Sequence, residues 1–383
     1  MKIVFLHKSL VMGGVERILI NYLNLLKNES DLEIEVVLAF ETEENIFRKD
    51  IPESIKVTYL VDKKHSEYRN SLYLSRKNNI LNRLKYKLLN FKWKIECRNK
   101  LNSIIKEYDV IINFSNHFDP YINFKDNKPK IRWQHLSLRC LDKKELKKEI
   151  SYLRRYDRII SICEDMKEEI SHIESLRNKI IVLYNPINFD NVLSLANDSI
   201  PKVKGEYFIQ VARLEEIKNH EVMIDIFYEL VKKGIPQNLI IIGNGSCLKK
   251  LQAKIEILHL EERCFLLGEI KNPYPYMKNA KLFLHTSKRE GLPTVLLESM
   301  VLNVPVVSMD CPTGPREILN DGECGVLIPL NDNKKFIDSV FGIHNNDQVI
   351  SQYKNNIAKH LLKFSEENIR KQLINMLFEV SKE

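Results

Sequence analysis

No Cys-x-x-Cys pair, no Asp-x-Asp and no apolar run of membrane-spanning length occurs anywhere in this chain. The seven cysteines (97, 140, 163, 247, 264, 311 and 324) are odd in number, scattered, and without a histidine at zinc-ligand spacing. That argues against a disulfide framework or a structural zinc site, and for reduced thiols in a cytoplasm. A helix needs about 18 consecutive apolar residues to cross a bilayer, and no window approaches that, so a soluble protein is expected. The first apolar stretch, residues 3–6, runs straight into His7-Lys8 and is too short for the core of a secretion signal.

What is present is ordinary globular composition, 44% hydrophobic and 29% charged, over 383 residues. That length suits two domains, each able to bury its own core. Strands are expected at 3–6, 32–39, 57–60, 110–114, 131–134, 158–162 and 180–183, with helical, charge-rich segments between them. The first of these helices, over 16–26, carries Ile18, Leu19, Tyr22, Leu23 and Leu26 on one face. From 185 to 205 the pattern breaks into linker chemistry, including Ile200-Pro201-Lys202. Alternation then restarts, with strands expected at 207–211, 239–242, 264–267, 282–285 and 304–308 and helices at 221–233, 248–258 and 294–302. Strands alternating with helices predict an α/β chain of two doubly wound, Rossmann-like domains. The expected division is 1–190, 191–365, and a terminal helix at 366–383 that packs back on the first domain. Such a pair places a ligand cleft between its halves, at the carboxyl ends of the strands.

Several candidate residues fall at those strand ends. In Ser287-Lys288-Arg289-Glu290-Gly291-Leu292-Pro293-Thr294 a strand gives way to a tight turn and then a helix, whose amides suit a diphosphate. Glu290 in the turn is placed to bond sugar hydroxyls. Glu298, one turn into the helix, can accept both hydroxyls of a ribose, because an ionised carboxylate is acceptor-only. Arg213 and Lys218 follow the first strand of the second domain, a fixed guanidinium and a mobile ammonium that together form a clamp for a leaving diphosphate. Gly13 and Gly14 lie between the first strand and first helix, where a missing side chain permits close backbone approach. Gly243-Asn244 and Gly268 end two further strands in the same way.

The stretch Glu290-Gly291-Leu292-Pro293-Thr294-Val295-Leu296-Leu297-Glu298 resembles the hallmark of the family 4 glycosyltransferases, two Glu separated by seven residues around Gly and Pro. Asp310-Cys311-Pro312-Thr313-Gly314-Pro315-Arg316-Glu317 is similar to a subset of that family found in polysaccharide and glycan assembly, and Asp321-Gly322 and Gly325 continue the match. The resemblance is strong over 207–329. It is looser in the first half, where Gly13-Gly14-Val15-Glu16-Arg17 and Val182-Leu183-Tyr184-Asn185-Pro186 carry it. It implies the GT-B fold and retention of anomeric configuration, with the leaving phosphate oxygen assisting the acceptor hydroxyl. It also implies a nucleotide-sugar co-substrate, most commonly a UDP-sugar, with Arg213 and Lys218 on the donor phosphates and no cofactor. Because several members carry a histidine after the corresponding strand, His117 is the first candidate for an active-site histidine and His135 the second. The acceptor side is expected to take a glycan or lipid-linked substrate in surface polysaccharide or glycan biosynthesis. With no Asp-x-Asp, the cationic pair replaces a metal ion.

The net charge of +8 is unevenly spread: ten Lys and Arg lie between Arg69 and Lys100 against one acid, Glu96. Leu81, Leu84, Leu88, Phe91 and Ile95 recur there at helical spacing. A solvated helix face fits this, and so does an anionic membrane surface at the inner face of a cell membrane. A nucleic-acid partner is conceivable on charge alone, yet the stretch lacks any recognisable module and none is expected. A nicotinamide oxidoreductase would need a G-x-G-x-x-G turn after the first strand, which is absent. A sugar phosphorylase would need a phosphate site and usually a pyridoxal cofactor, for which no Lys context speaks. A non-catalytic sugar-nucleotide or glycan-binding protein remains the alternative, since binding and catalysis use the same clamp.

Overall fold

A computed structural model describes all residues except 12, 78, 199–202, 204 and 383, so the Ile200-Pro201-Lys202 part of the linker reading lies outside the described residues. The chain divides into two compact units, Met1–Pro186 with Ile369–Glu383, and Ile187–Asn368.

The first unit is built on β1 (Lys2–His7), β2 (Glu33–Phe40), β3 (Lys56–Val61), β4 (Val110–Asn113), β5 (Lys130–Gln134), β6 (Arg158–Ser161) and β7 (Ile180–Val182). All seven pair in parallel, in the order β3-β2-β1-β4-β5-β6-β7. Continuous burial along β1, β2 and β4 follows from helices covering both faces of a parallel sheet. The first helix, Gly14–Leu26, buries Ile18, Leu19, Tyr22, Leu23 and Leu26. The Tyr22 hydroxyl donates to the Tyr184 carbonyl at 2.6 Å, which ties the Val182–Pro186 stretch to that helix. Ile369, Leu373, Met376, Leu377 and Val380 of the terminal helix Glu366–Val380 are buried, and Arg370 pairs with Glu29.

The second unit holds β8 (Tyr207–Val211), β9 (Asn238–Ile242), β10 (Cys264–Leu266), β11 (Leu282–His285), β12 (Val306–Asp310) and β13 (Val326–Pro329). They are parallel in the order β10-β9-β8-β11-β12-β13. Phe208, Phe227, Leu239, Leu251, Leu282 and Phe336 are fully buried in its core. The strand expected at 304–308 begins two residues later, because Asn303 turns at φ 58° and Pro305 has no N–H for the ladder. All seven cysteines are free thiols. No helix among the described residues is long and apolar enough to cross a membrane.

The expected amphipathic stretch is two helices, Lys63–Ser75 and Ile80–Ile104. Asn79 caps the second by accepting from the Asn82 amide at 3.2 Å. The second helix anchors through its carboxyl end, where Leu101 is buried in the core beside β1 and β4. Its apolar stripe faces solvent: Leu81, Leu84, Leu88, Phe91 and Ile95 are all exposed, Leu88 by 73% and Phe91 by 67%.

Candidate functional site

In a doubly wound sheet, the strands on either side of the point where the order reverses leave a crevice at their carboxyl ends. In the second unit that point lies between β8 and β11. Arg213 and Lys218 follow β8, and Glu290 follows β11, so the candidate residues sit where the topology opens.

Their loops are braced by backbone. The Lys218-Asn219 turn, with Asn219 at φ 59°, is held from beneath by Thr286, whose hydroxyl donates to the Asn219 carbonyl at 3.2 Å. The Lys288 amide donates to the Ile217 carbonyl at 2.9 Å, joining the β8 and β11 loops. On the other side the Glu290 amide donates to the Pro312 carbonyl at 2.9 Å, and the Thr313 hydroxyl donates to the Glu290 and Gly291 carbonyls at 2.7 and 2.9 Å. At Gly314, φ is +93°, and a Cβ would stand 2.7 Å from the Gly291 carbonyl oxygen, so only glycine fits beneath the turn. The demand at Gly243 is sharper, since φ is +147° and a Cβ would stand 1.9 Å from the Ala212 carbonyl oxygen. The Gly243 amide donates to the Gly268 carbonyl at 2.8 Å, and the Leu214 amide to the Asn244 carbonyl at 2.9 Å, so three neighbouring strand-end loops are tied together.

The side chains converge on one carboxylate. Lys218 Nζ lies 2.6 Å from both oxygens of Glu290, and His285 Nε2 lies 3.2 Å from Oε1. His285 Nδ1 in turn lies 2.8 Å from the hydroxyl of Ser308. Burial pushes the Glu290 carboxyl up, but His285 and Lys218 outweigh it and hold the group down at about 2. Glu290 is therefore ionised across the physiological range. The sequence reading missed His285; its signal was a histidine closing a strand five residues before Glu290. Arg213 is exposed at the end of β8.

Glu298 does not join this group. It is half-buried on the helix Thr294–Val301, where burial pushes its carboxyl up to about 7, partly offset by a hydrogen bond with Thr294. No side chain caps that helix, whose N-cap is Pro293, so its first amides are not taken by a capping side chain. Leu292, 6% exposed, packs into the core beneath the turn.

In the first unit the order reverses between β1 and β4, where Gly13-Gly14 and His117 lie. Open space adjoins Gly14. His117 is surrounded by the rings of Phe40, Phe118 and Tyr121 at 5.8, 5.2 and 5.9 Å. Burial and nearby cations bring its imidazole down to about 4, so it is neutral at ordinary pH. His135 is brought down by burial to about 3, and its Nε2 donates to the Phe114 carbonyl at 2.9 Å. His7, which the sequence reading also passed over, ends β1 with Nε2 3.4 Å from Glu16. Among the described residues no group of three or more His, Cys, Asp or Glu is placed to hold a metal ion.

The profile of the family "Glycosyl transferases group 1" matches residues 195–360. An uncharacterised glycosyltransferase of Methanocaldococcus jannaschii is 37% identical over 176 residues, a match covering 44% of this chain and 43% of that protein. This match therefore spans under half the length of that relative. The Campylobacter jejuni N-acetylgalactosamine-N,N'-diacetylbacillosaminyl-diphospho-undecaprenol 4-alpha-N-acetylgalactosaminyltransferase is 29% identical over 96% of this chain and 97% of its own. Among solved structures, Anabaena HepE in complex with UDP superposes with a TM-score of 0.76 at 20% identity, covering 99% of this chain and 100% of that one. Residues 195–360 thus match the group 1 glycosyltransferase profile, and the two Rossmann-like units share the GT-B fold of HepE.

Proposed function

We propose that the enzyme transfers a hexose or N-acetylhexosamine from a UDP-linked donor, with retention and without a divalent metal, to a glycan or lipid-linked acceptor in surface polysaccharide or glycan assembly. The observation that carries this reading is the Lys218–Glu290 pair at the switch point of the second unit. An ammonium has three donors. Two meet Glu290, and the third serves a donor phosphate beside Arg213, so positive charge waits where the diphosphate becomes negative on leaving. Glu290 holds sugar hydroxyls, and Glu298 takes the ribose diol. UDP accompanies HepE in its solved complex, and the Campylobacter relative's name specifies N-acetylgalactosamine transfer to a diphospho-undecaprenol-linked acceptor. The test is release of UDP from a panel of UDP-hexoses and UDP-N-acetylhexosamines with lipid-diphosphate-linked acceptors. Turnover of none of them, with turnover of a GDP- or ADP-sugar instead, overturns the donor assignment.

The exposed stripe supports a lipid-borne acceptor and peripheral attachment at the inner face of the cell membrane. At 100° per residue, Lys85 and Lys92 fall on one edge of the stripe and Lys87 and Lys94 on the other, an arrangement that lets apolar side chains enter headgroups while ammonium groups meet anionic lipid. Arg69 of the preceding helix lies 4.9 Å over the Phe40 ring, which packs edge-on against His117, so the helical pair borders the candidate acceptor histidine. Each Lys or Arg near such a surface contributes about 1 kcal/mol. Sedimentation with anionic liposomes should fall as salt rises, and fall further when Arg83, Lys85, Lys87 and Lys92 become Gln. Wild-type protein that stays in the supernatant at low salt leaves the stripe a solvated helix face.

A further inference from the structure

His285 is 2% exposed, closes β11, and stands in register with Ser308 of the parallel neighbour β12, which puts the two side chains on one face of the sheet. Ser308 Oγ lies 2.8 Å from Nδ1 and 2.9 Å from the Met309 carbonyl oxygen, so the hydroxyl sits between two polar neighbours. The other ring nitrogen, Nε2, faces a Glu290 oxygen at 3.2 Å. A carboxylate oxygen only accepts, so Nε2 carries the proton of that bond. Glu290 thus has two donors, a long-stemmed lysine on both oxygens and a buried imidazole on Oε1 that closes β11.

The difference between those donors has a consequence. A lysine that turns toward a phosphate weakens its hold on the carboxylate, and a buried carboxylate without a partner is costly. We propose that His285, anchored by Ser308, is a positioning residue that holds the Glu290 carboxylate through Oε1, so that Lys218 can share its ammonium with a donor phosphate while Glu290 stays aimed at the sugar. This rests on the donor-clamp reading above. Burial pushes the Glu290 carboxyl up and His285 is the first group that opposes it, so loss of the imidazole raises the pH at which Glu290 takes up a proton. The other titratable groups near the pair are Lys218, His220 at the start of the next helix, and Cys311 after β12. Burial brings His220 down to about 4 and pushes Cys311 up to about 12, so both are neutral where the enzyme is assayed and Lys218 is the one charge among these three.

The experiment compares His285→Leu, His285→Gln, Ser308→Ala and Glu290→Gln in the full-length protein, with UDP as the binding probe and UDP release from the sugar nucleotide selected by the donor panel as the rate. His285→Leu should lower kcat about 10- to 100-fold, the cost of a misplaced group at the reacting centre, with UDP affinity within about threefold of wild type. The acid limb of its rate profile should move to higher pH. His285→Gln, whose amide can still donate from the Nε2 side, should recover a large part of the loss. Ser308→Ala should move kcat and the acid limb in the same direction by a smaller step. If His285→Leu does not fold, Gln at 285 and Ala at 308 decide, and a wild-type acid limb in both overturns the proposal. Wild-type kcat in His285→Leu overturns it as well. An active Glu290→Gln enzyme shows instead that the clamp reading is wrong, whereas an inactive one beside unaffected His285 and Ser308 variants defeats this inference alone.

Discussion

The two units present the same topology at their switch points and opposite chemistry. In the second, a buried carboxylate is held ionised by a lysine and a histidine, with the loops after β8, β11 and β12 tied by backbone hydrogen bonds. In the first, the candidate histidines are neutral, pushed there by burial among aromatic rings, and the nearby charged surface belongs to an exposed helical pair. A leaving diphosphate needs fixed charge, whereas an acceptor hydroxyl needs a position and a neutral partner. The contrast fits the proposal that the donor binds the second unit and the acceptor the first.

Charge removal in the second unit should break the enzyme most severely. Lys218→Ala or Arg213→Ala should cost roughly 2 to 4 kcal/mol in the barrier, about 30- to 1000-fold in kcat, because each contact strengthens as the phosphate leaves. Rates within a few-fold of wild type in both variants would remove the clamp from the mechanism.

His117→Ala in the first unit should lower the transfer rate by a smaller factor, about 10- to 100-fold, and leave UDP affinity unchanged. Because burial brings this imidazole down to about 4, its titration should leave no inflection in the rate profile between pH 6 and 8. A fall in UDP affinity as large as the fall in rate would place His117 on the donor and collapse the distinction between the units.

Glu298 sharpens the comparison within the donor unit. Its folded-state pKa of about 7 is raised above the ordinary carboxylate value, chiefly by burial, so the group is protonated below neutrality and ionised above it. A ribose diol donates to the ionised form, so UDP affinity should rise with pH, by about tenfold at most between pH 6 and 8. The same shift makes Glu298 a group that favours the fold at low pH, with that contribution lost as pH rises through 7. Titration calorimetry at pH 6, 7 and 8 tests the binding effect. Glu298→Gln should abolish the slope, and a flat wild-type profile would deny the carboxylate its ribose role.

Much of this was legible in the sequence because strands covered on both faces announce themselves as apolar runs, as 3–6, 207–211 and 239–242 do. The strand at Val326–Pro329 escaped, since it is short and only one of its four residues, Ile328, is buried. The glutamates and the Arg213/Lys218 pair were visible as motifs with fixed spacing. His285, Ser308 and Thr313 were not, because their roles come from strand register and loop crossing, which bring together residues 5 to 23 positions apart in sequence. The outward stripe of the helix Ile80–Ile104 carried the opposite lesson. Apolar side chains at helical spacing usually mark a buried face, and only the structure shows that Leu88 and Phe91 point to solvent.

The smallest expected effect is none at all. A metal-dependent transferase loses its charge stabiliser to a chelator, and its rate returns with manganese or magnesium. Here the stabilisers proposed are covalent parts of the chain: the Lys218 ammonium held by the Glu290 carboxylate, and the Arg213 guanidinium at the end of β8. Neither can be chelated, and the chain has no Asp-x-Asp to recruit an ion. EDTA at millimolar concentration should therefore leave UDP release within about twofold of the untreated rate, at a pH where Glu298 is ionised, so that donor binding is not itself limiting. The same treatment of Lys218→Ala is the more demanding arm. If added magnesium partly restores that variant, a divalent ion can replace the missing ammonium at the diphosphate, which confirms where the charge belongs. If EDTA silences the wild type and manganese revives it, the diphosphate is neutralised by an ion after all, and the electrostatic contrast between the two units loses its mechanistic meaning.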